Sequence, residues 1–333
     1  MPSTPRRAAL ADFAAAHLGV LNAAPVPASA DASFRSYWRV FRDGQSFIVM
    51  DAPPDKEDLA AFINVAARLR NAGLNAPTVL AEDHTLGFLL LGDLGTRTFL
   101  PELDDASVDA LYGDALDALA RMQTQVLADG LPVYDEARLR TEMELFPTWF
   151  LELHLGHRIT DDEHALIEST LAALVASALE QPQAFVHRDY HSRNLMIVPG
   201  ANPGIIDFQD AVRGPICYDL VSLLKDCYIR WPADRVAQWA EQHRQRLAAS
   251  AGFAIDAADW QCWFDWIGVQ RHLKVLGIFA RLNYRDGKPG YLKDLPLVLE
   301  YTLEACARYP ELARFGEWLA QITDGVDLTT PQT

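Results

Sequence analysis

The sequence lacks the features that crosslink small secreted domains or anchor a chain in a membrane. Its four cysteines, Cys217, Cys227, Cys262 and Cys306, form no C-x-x-C pair and have no histidine at a usual zinc-binding spacing. This pattern argues against both a disulfide framework and a structural zinc site. No run of 18 consecutive apolar residues occurs, so we expect no membrane-spanning helix. We expect reduced thiols and a cytoplasmic location.

Positive charge is also scarce. The chain has 29 Lys and Arg against 45 Asp and Glu, a net charge of −16 at pH 7. Its field therefore repels nucleic-acid backbones and anionic lipid heads, which excludes both as main partners. Nothing in the sequence indicates an obligate protein partner. With 333 residues, of which 50% are hydrophobic, the chain is predicted to fold as two domains or one bilobal unit.

The amino-terminal region is apolar enough to be weighed as a secretion signal. Arg6 and Arg7 precede an alanine-rich stretch, but Asp12 and His17 interrupt it. The larger apolar side chains recur at helical spacing, which favours an amphipathic first helix over a signal. They are Leu10, Phe13, Leu18 and Leu21.

The first ninety residues carry several strand signals and one strong helix signal. Residues 37–41 and 47–50 alternate as strands, and residues 42–45 form a hairpin turn signal between them. Asp58 is placed to cap a helix that Gly73 ends. Two further strands are predicted at residues 78–81 and 87–91.

Beyond a predicted hinge at residues 92–96, the 3.6-residue period of helices dominates. Helices are predicted at residues 108–126, 166–179, 218–229, 235–248, 260–281 and 295–307, with strands at 195–198 and 204–206. We therefore predict an α+β fold with a small β-sheet lobe, residues 1–91, and a large, mainly helical lobe, residues 97–333.

One segment carries a recognisable chemical pattern. Residues 187–194 read H-R-D-Y-H-S-R-N, and Asp207 follows Asn194 by thirteen residues. This is the spacing of a kinase catalytic loop and its metal-binding aspartate. Phosphoryl transfer needs a carboxylate near the attacking hydroxyl, a role that suits Asp189. It also needs separate oxygen ligands for Mg²⁺, a role that suits Asn194 and Asp207.

The surrounding segment, residues 185–224, resembles the aminoglycoside phosphotransferase branch of the kinase-like superfamily. The resemblance extends through Asp210, Gly214 and the Tyr218-Asp219-Leu220 unit. It implies a bilobal protein-kinase-like fold, with a nucleotide-binding lobe at 1–91 and a catalytic and substrate-binding lobe at 97–333. It also implies ATP and Mg²⁺ as cofactors. In such enzymes the equivalents of His187 and Asp219 support the catalytic loop.

A phosphorylation switch is not expected in the segment that follows the catalytic loop. Residues 208–217, where protein kinases carry their activation segment, contain no Ser, Thr or Tyr and are too few to dock a peptide. The acceptor should therefore be a small molecule. Arg188, which binds a phosphorylated activation loop in many protein kinases, is expected to have a structural partner instead.

The nucleotide half departs from the kinase pattern. Residues 32–40, at the place of the phosphate-covering loop, contain no glycine. Met50 stands at the position of the ATP-binding lysine, and Phe62 or Asn64 at that of its glutamate partner. Loss of the lysine or the glutamate alone would leave the other as an uncompensated buried charge, at a cost of about 3–5 kcal/mol. Loss of both residues avoids this cost. Either the nucleotide site is rearranged, or the chain is a catalytically inactive scaffold.

A rearranged site needs other residues to contact the nucleotide. We predict that Ser33 and Arg35 reach the phosphates, that Asp207 acts through the metal, and that Leu91 lies at the adenine. Arg35 as an exposed hairpin residue and Leu91 as a buried strand end are the alternatives.

The predicted helix at residues 260–279 is apolar on nearly every side and should be largely buried. Gln270 and Lys274 nevertheless project polar groups from one of its faces. Either these groups satisfy one another and acids such as Asp226, or they bind a ligand. His272 is interpreted as structural.

Segments 33–35, 49–54, 187–194, 206–210 and 270–277 together are similar to a narrower group, the bacterial anomeric kinases of peptidoglycan recycling. The resemblance implies transfer of the ATP γ-phosphoryl group to the C1 hydroxyl of N-acetylmuramate or N-acetylglucosamine. The predicted substrate-binding residues are Asp189, His191, Gln270, Arg271 and Lys274.

Two other functions stay open. An aminoglycoside-modifying enzyme fits the acidic composition, because an acidic surface attracts polycationic drugs. A nucleotide-binding pseudokinase scaffold fits Met50 and the glycine-free loop.

Overall fold

The computed structural model describes residues 4–21, 23–30, 34–250 and 255–331. The strands are β1 Val26–Ala30, β2 Ser36–Arg42, β3 Gln45–Asp51, β4 Val79–Asp83, β5 Phe88–Gly92, β6 Gln183–Val186, β7 Leu195–Met196, β8 Gly204–Ile205 and β9 Val212–Pro215. The α-helices are α1 Thr4–Leu18, α2 Leu59–Asn71, α3 Val108–Gln125, α4 Glu136–Met143, α5 Asp161–Glu180, α6 Tyr218–Leu224, α7 Ala233–Ala249, α8 Ala257–Tyr284, α9 Leu295–Cys306 and α10 Pro310–Thr323. Two short 3₁₀ helices and a π-helical segment, Phe146–His154, complete the described elements.

The chain forms two compact units. The first comprises Met1–Leu127 with Arg193–Asp210, and the second comprises Ala128–Ser192 with Ala211–Thr333. The motif at residues 187–194 therefore contributes residues to both. The lobe boundaries predicted from sequence, 1–91, 92–96 and 97–333, stay a prediction.

The first unit is built on an antiparallel sheet of five strands in the order β1-β2-β3-β5-β4. Alternate residues of the central strands point to one face, where helix α1 covers them. This confirms the amphipathic first helix for Leu10, Phe13 and Leu18. The prediction was wrong for Leu21, which lies beyond the end of α1 and is exposed. The buried side chains that meet here are Leu10, Phe13, Ala14 and Leu18 of α1 with Trp38, Val40, Val49, Phe88 and Leu90 of the sheet.

A two-stranded ribbon, β7 with β8, also belongs to the first unit. Its register pairs Leu195 with Ile205. The Phe99 amide donates to the Leu195 carbonyl, and Asn75 forms a bridge with Gly204, so backbone bonds attach the ribbon to the rest of the unit.

The second unit is organised around helix α8, whose middle is buried on all sides, as its composition predicts. Close packing requires a glycine on this helix. A Cβ atom at Gly277 would lie 2.4 Å from the backbone carbon of Leu145. The short pair β6–β9 joins Val186 to Val212 and leads directly into residue 187.

Most predicted elements are present, with one clear exception in length. The predicted helix 218–229 ends at Leu224. The reason is local competition: the buried Asp226 carboxylate accepts the Tyr228 amide at 3.1 Å, which replaces a helical hydrogen bond. In the described part of the chain, no helix is long and apolar enough to cross a membrane.

Candidate active site

The β7–β8 ribbon brings Asn194 and Asp207 together in the first unit. Because Leu195 pairs with Ile205, the residues just outside the pair lie opposite each other, and the Ile206 amide donates to the Asn194 carbonyl at 3.1 Å. The Asn194 side-chain amide then donates to Oδ2 of Asp207 at 3.3 Å. The thirteen-residue spacing is thus explained by a hairpin.

Asp207 has a strained backbone. Its φ of 64° lies in the left-handed region, which aspartate tolerates better than most residues do. Gln209 donates to Oδ1 of Asp207 at 2.9 Å and helps to hold the side chain. Strain of this kind persists where surrounding contacts fix it, and it is enriched at functional positions.

The chemistry of this pair fits magnesium. A carboxylate and a side-chain amide in direct contact offer the hard oxygen ligands that Mg²⁺ prefers, and Mg²⁺ usually takes only one or two protein ligands beside water and phosphate. No group of three or more His, Cys, Asp or Glu is placed to hold a metal ion among the residues described.

The structure shows the positions of two of the residues predicted to contact the nucleotide, and their role stays a prediction. Ser33 lies outside the described residues. Leu91 is a buried residue of β5 whose partners are Ile48 and Val79. Arg35 is no exposed hairpin residue, because its side chain is only 10% exposed and one guanidinium nitrogen lies 3.9 Å from Oδ1 of Asp207.

In the second unit, Asp219 holds the beginning of the catalytic loop. Its two carboxylate oxygens accept the backbone amides of His187 and Arg188 at 2.6 and 2.9 Å. Arg188 has a φ of 77°, so these bonds fix a left-handed conformation that is unfavourable for arginine. Burial raises the pKa of Asp219 to about 7, although the two amide donors oppose that shift.

A buried acid, Glu142 of α4, connects the loop to helix α8. Its carboxylate forms ion pairs with Arg188 and, at 3.0 Å, with Lys274. The Tyr134 hydroxyl donates to the same carboxylate, and Lys274 also donates to the Tyr218 hydroxyl at 3.1 Å. Lys274 is therefore neutralised and hydrogen-bonded within the protein.

Asp189 lies close to several basic side chains. Burial raises the pKa of its carboxyl, but Lys274, His191, Arg188 and His187 lower it, and the net shift is downward. The Asp189 amide also donates to Nδ1 of His187 at 3.3 Å. The carboxyl is consequently ionised at neutral pH, the state in which it can accept a proton.

The end of the loop in the second unit is held by another acid. Asp226 accepts hydrogen bonds from the Ser192 hydroxyl and amide at 2.5 and 3.0 Å. His191 lies between these fixed points, with its ring edge-on to Tyr228 at 5.5 Å.

Two predicted substrate residues on α8 have buried polar atoms without a hydrogen-bond partner among the described residues. Gln270 is fully buried, and both polar atoms of its side chain are unpaired among the described residues. Arg271 is 3% exposed, and its Nη1 is likewise unpaired there. Asp226 and Asp189 are among the charges that raise the pKa of Arg271 against the effect of burial. Buried polar groups are rarely left unpaired, so a bound ligand or an ordered water would satisfy these atoms, and their role in substrate binding stays a prediction.

With this geometry established, the chain can be compared with known proteins. Residues 25–260 match the phosphotransferase enzyme family. The chain belongs to this family. The phosphotransferase is 47% identical over 304 residues to an N-acetylmuramate/N-acetylglucosamine kinase of Pseudomonas aeruginosa, covering 91% of this chain and 89% of the relative. A relative of the same name from Pseudomonas putida is 46% identical, with 90% and 88% covered.

Solved structures agree on the fold. An ADP-bound aminoglycoside phosphotransferase superposes with a TM-score of 0.58 at 14% identity, covering 90% of this chain and 98% of that chain. The kinase-like α+β fold predicted from sequence is therefore confirmed for this phosphotransferase. Its reaction class is phosphoryl transfer.

Sequence reasoning missed two charged residues of the phosphotransferase. Glu142 lies 46 residues before Arg188 and belongs to no motif. Glu57, just before helix α2, lies 3.7 Å from Arg35. The sequence offers one general clue to Glu142 and Glu57: the predicted basic residues Arg188, Lys274 and Arg35 need acidic partners if they are buried.

The charges around Asp189 predict a specific pH effect. In Lys274→Met, loss of a nearby cation should raise the pKa of Asp189, because that cation favours the ionised carboxylate. The predicted role of Asp189 as proton acceptor requires its ionised form, so the acidic limb of the pH profile of kcat/KM should move to higher pH. Lys225→Met is the control, since that buried lysine pairs with Asp265 instead. An equal displacement in both variants, or none in Lys274→Met, would contradict the assignment.

Proposed function

We propose that the chain is an ATP-dependent kinase of the amino sugars N-acetylmuramate and N-acetylglucosamine, acting at the anomeric C1 hydroxyl. The observation that carries this proposal is a pair of buried side chains on α8, Gln270 and Arg271, that have polar atoms unpaired among the described residues. The same helix contributes charges that act on Asp189. The names of the relatives, which cover about nine-tenths of the chain, support the same substrate class. ATP as donor is supported by the ADP bound in the structural neighbour.

Each polar group has a counterpart on the sugar. The Gln270 amide matches the N-acetyl group, which offers one donor and one acceptor. The Arg271 guanidinium matches a carboxylate, which it can bind through two parallel hydrogen bonds. Lys274 is the weaker choice for that carboxylate, because Glu142 and Tyr218 already accept its hydrogen bonds.

The reaction assigns one chemical role to Asp189. Its carboxylate orients the C1 hydroxyl and accepts the proton as the hydroxyl oxygen bonds to the γ-phosphorus of ATP. The bond from that phosphorus to the bridging oxygen breaks, and ADP leaves. The products are the sugar 1-phosphate and ADP, with the proton on Asp189.

The metal-binding role falls to Asn194 and Asp207, which would hold Mg²⁺. The ion supplies positive charge that offsets the phosphate oxygens of the nucleotide. Asp219 and Asp226 support the chain on both sides of Asp189, so the base is held in place by backbone and hydroxyl hydrogen bonds. A cytoplasmic location and a role in peptidoglycan recycling stay predictions.

Aminoglycoside phosphorylation is the second candidate. It is favoured by the net charge of −16, because an acidic protein attracts polycationic substrates. The buried Arg271 argues against it, since a buried guanidinium repels a cationic ligand.

Phosphorus NMR tests the proposal directly. We expect that incubation with Mg-ATP and either amino sugar gives a new phosphomonoester signal that is split by the anomeric proton, together with ADP. Product formed from kanamycin-type substrates alone would support the second candidate. Nucleotide binding without any sugar-dependent release of ADP would support the scaffold hypothesis.

A further inference from the structure

The first unit contains a place where a kinase would carry a lysine–glutamate ion pair. Met50 of β3 is 1% exposed and Phe62 of α2 is 4% exposed. Phe62 packs on Phe208 with ring centroids 4.8 Å apart. A charge at Met50 or Phe62 would be buried, whereas Asn64, the other predicted glutamate position, is exposed. An active enzyme would therefore need a cation from another position to contact the phosphates.

A different ion pair lies within the same unit. Arg35, next to the first residue of β2, has Nη1 3.7 Å from Oε2 of Glu57 and Nη2 3.9 Å from Oδ1 of Asp207. The side chains are 10%, 18% and 32% exposed, respectively. The guanidinium therefore bridges two partly buried carboxylates through different nitrogen atoms.

Glu57 changes what Arg35 can do. With Asp207 as its sole carboxylate neighbour, the guanidinium would be drawn onto the proposed metal ligand and would weaken the ligand's hold on a cation. A second carboxylate on the other nitrogen balances that attraction. Both distances exceed the 2.7–2.9 Å that is usual for a hydrogen-bonded ion pair, so each of these two contacts is a longer-range ion pair.

We propose that Glu57 is a positioning residue for Arg35, and that the Arg35–Glu57 pair replaces the missing lysine–glutamate pair by presenting a cation to the nucleotide phosphates. A guanidinium suits this role because its planar fork matches phosphate oxygens. The inference rests on the proposed ATP-dependent activity but not on the identity of the sugar.

Nucleotide affinity tests the proposal without any sugar. Binding of ADP with Mg²⁺ would be measured by calorimetry for the full-length wild type, Glu57→Gln, Arg35→Met, Arg35→Lys and the double variant Glu57→Gln/Arg35→Met. We expect Arg35→Met to bind about 30-fold more weakly, as for a lost charged hydrogen bond. Glu57→Gln should bind about 5-fold more weakly, and Arg35→Lys should retain part of the affinity.

The double variant distinguishes positioning from an independent effect. If Glu57 acts through Arg35, removing Glu57 should change affinity less than about 2-fold once Arg35 is absent. Asp55→Asn is the matched control, because this nearby acid is 73% exposed and lies close to Lys56 instead. Melting temperatures would establish that each variant is folded.

Three results would overturn the inference. They are unchanged affinity in Glu57→Gln, an equal loss from Glu57→Gln with and without Arg35, and a loss of the same size in Asp55→Asn. Measurements on the wild-type chain distinguish failure of this inference from failure of the proposed sugar kinase activity. A wild-type chain that binds no ADP would overturn both, whereas normal ADP binding without sugar phosphorylation would leave the Arg35–Glu57 inference standing and remove the sugar assignment.

Discussion

Asp189→Asn should lower kcat by about 10³-fold or more while nucleotide affinity stays near that of the wild type. The substitution keeps the size and shape of the side chain but removes its ability to accept a proton, and a positioned general base typically contributes 10²–10⁴-fold. ADP affinity should persist because the predicted nucleotide contacts, Arg35 and Asp207, belong to the other compact unit. The measurement is steady-state ADP release with a saturating amino sugar, paired with calorimetric titration of ADP.

A loss of activity could also arise from a disturbed loop, so the fold needs its own control. The cations that surround Asp189 would remain paired with Glu142 in the variant, and we expect little change in melting temperature. Asp234→Asn, an exposed acid in the first turn of α7, should retain full activity. A kcat within about 10-fold of the wild-type value would remove Asp189 from the mechanism.

The sequence predicted correctly those elements whose ends are determined by residues close to them in the chain. Helix α2 begins after Asp58, whose side chain accepts the Ala60 amide, and it is followed by Gly73 at a φ of 72°. Both features are local, so a cap residue and a terminating glycine suffice to predict them. The contact of Asn194 with Asp207 follows in the same way, because a short hairpin separates them.

The site residues that sequence left out are those joined by distant parts of the chain. Glu142 meets Arg188 and Lys274 only because three separate segments pack together in the second unit. No periodicity or spacing encodes such a contact. The π-helical segment Phe146–His154 was missed for a related reason. Its second residue is Pro147, which predicts a break, and its shape depends on its packing against α8.

The partner of Arg188 has a consequence for regulation. In many protein kinases the corresponding arginine binds a phosphate group on the activation loop. It therefore gains its anionic partner only after that loop is phosphorylated. Here Glu142 supplies a permanent carboxylate, and the segment 208–217 has no hydroxyl to phosphorylate. The loop that carries Asp189 is therefore held in place in the unmodified protein, which suits an enzyme controlled by its substrates.

Arg271→Gln should separate the two proposed sugars. N-Acetylmuramate carries a lactyl carboxylate that N-acetylglucosamine lacks. The Arg271 guanidinium is 3% exposed, and its Nη1 is unpaired among the described residues. We expect kcat/KM for N-acetylmuramate to fall about 30–100-fold, as for a lost charged hydrogen-bonded pair, and that for N-acetylglucosamine to fall less than about 5-fold. Parallel kinetics with the two sugars give the ratio directly.

The ratio is informative even if the variant is less stable. Loss of Arg271 removes a charge that balances Asp226 and Asp189, so part of the protein could unfold. Unfolding lowers both rates by the same factor and leaves their ratio unchanged, whereas a lost carboxylate contact changes the ratio alone. Arg281→Gln makes the same substitution further along α8 and should preserve the wild-type ratio. If Arg271→Gln had the wild-type ratio of kcat/KM for the two sugars, a group other than Arg271 would recognise the lactyl carboxylate. Lys274 is the other predicted cation on α8, and it would have to break its ion pair with Glu142 to bind that carboxylate.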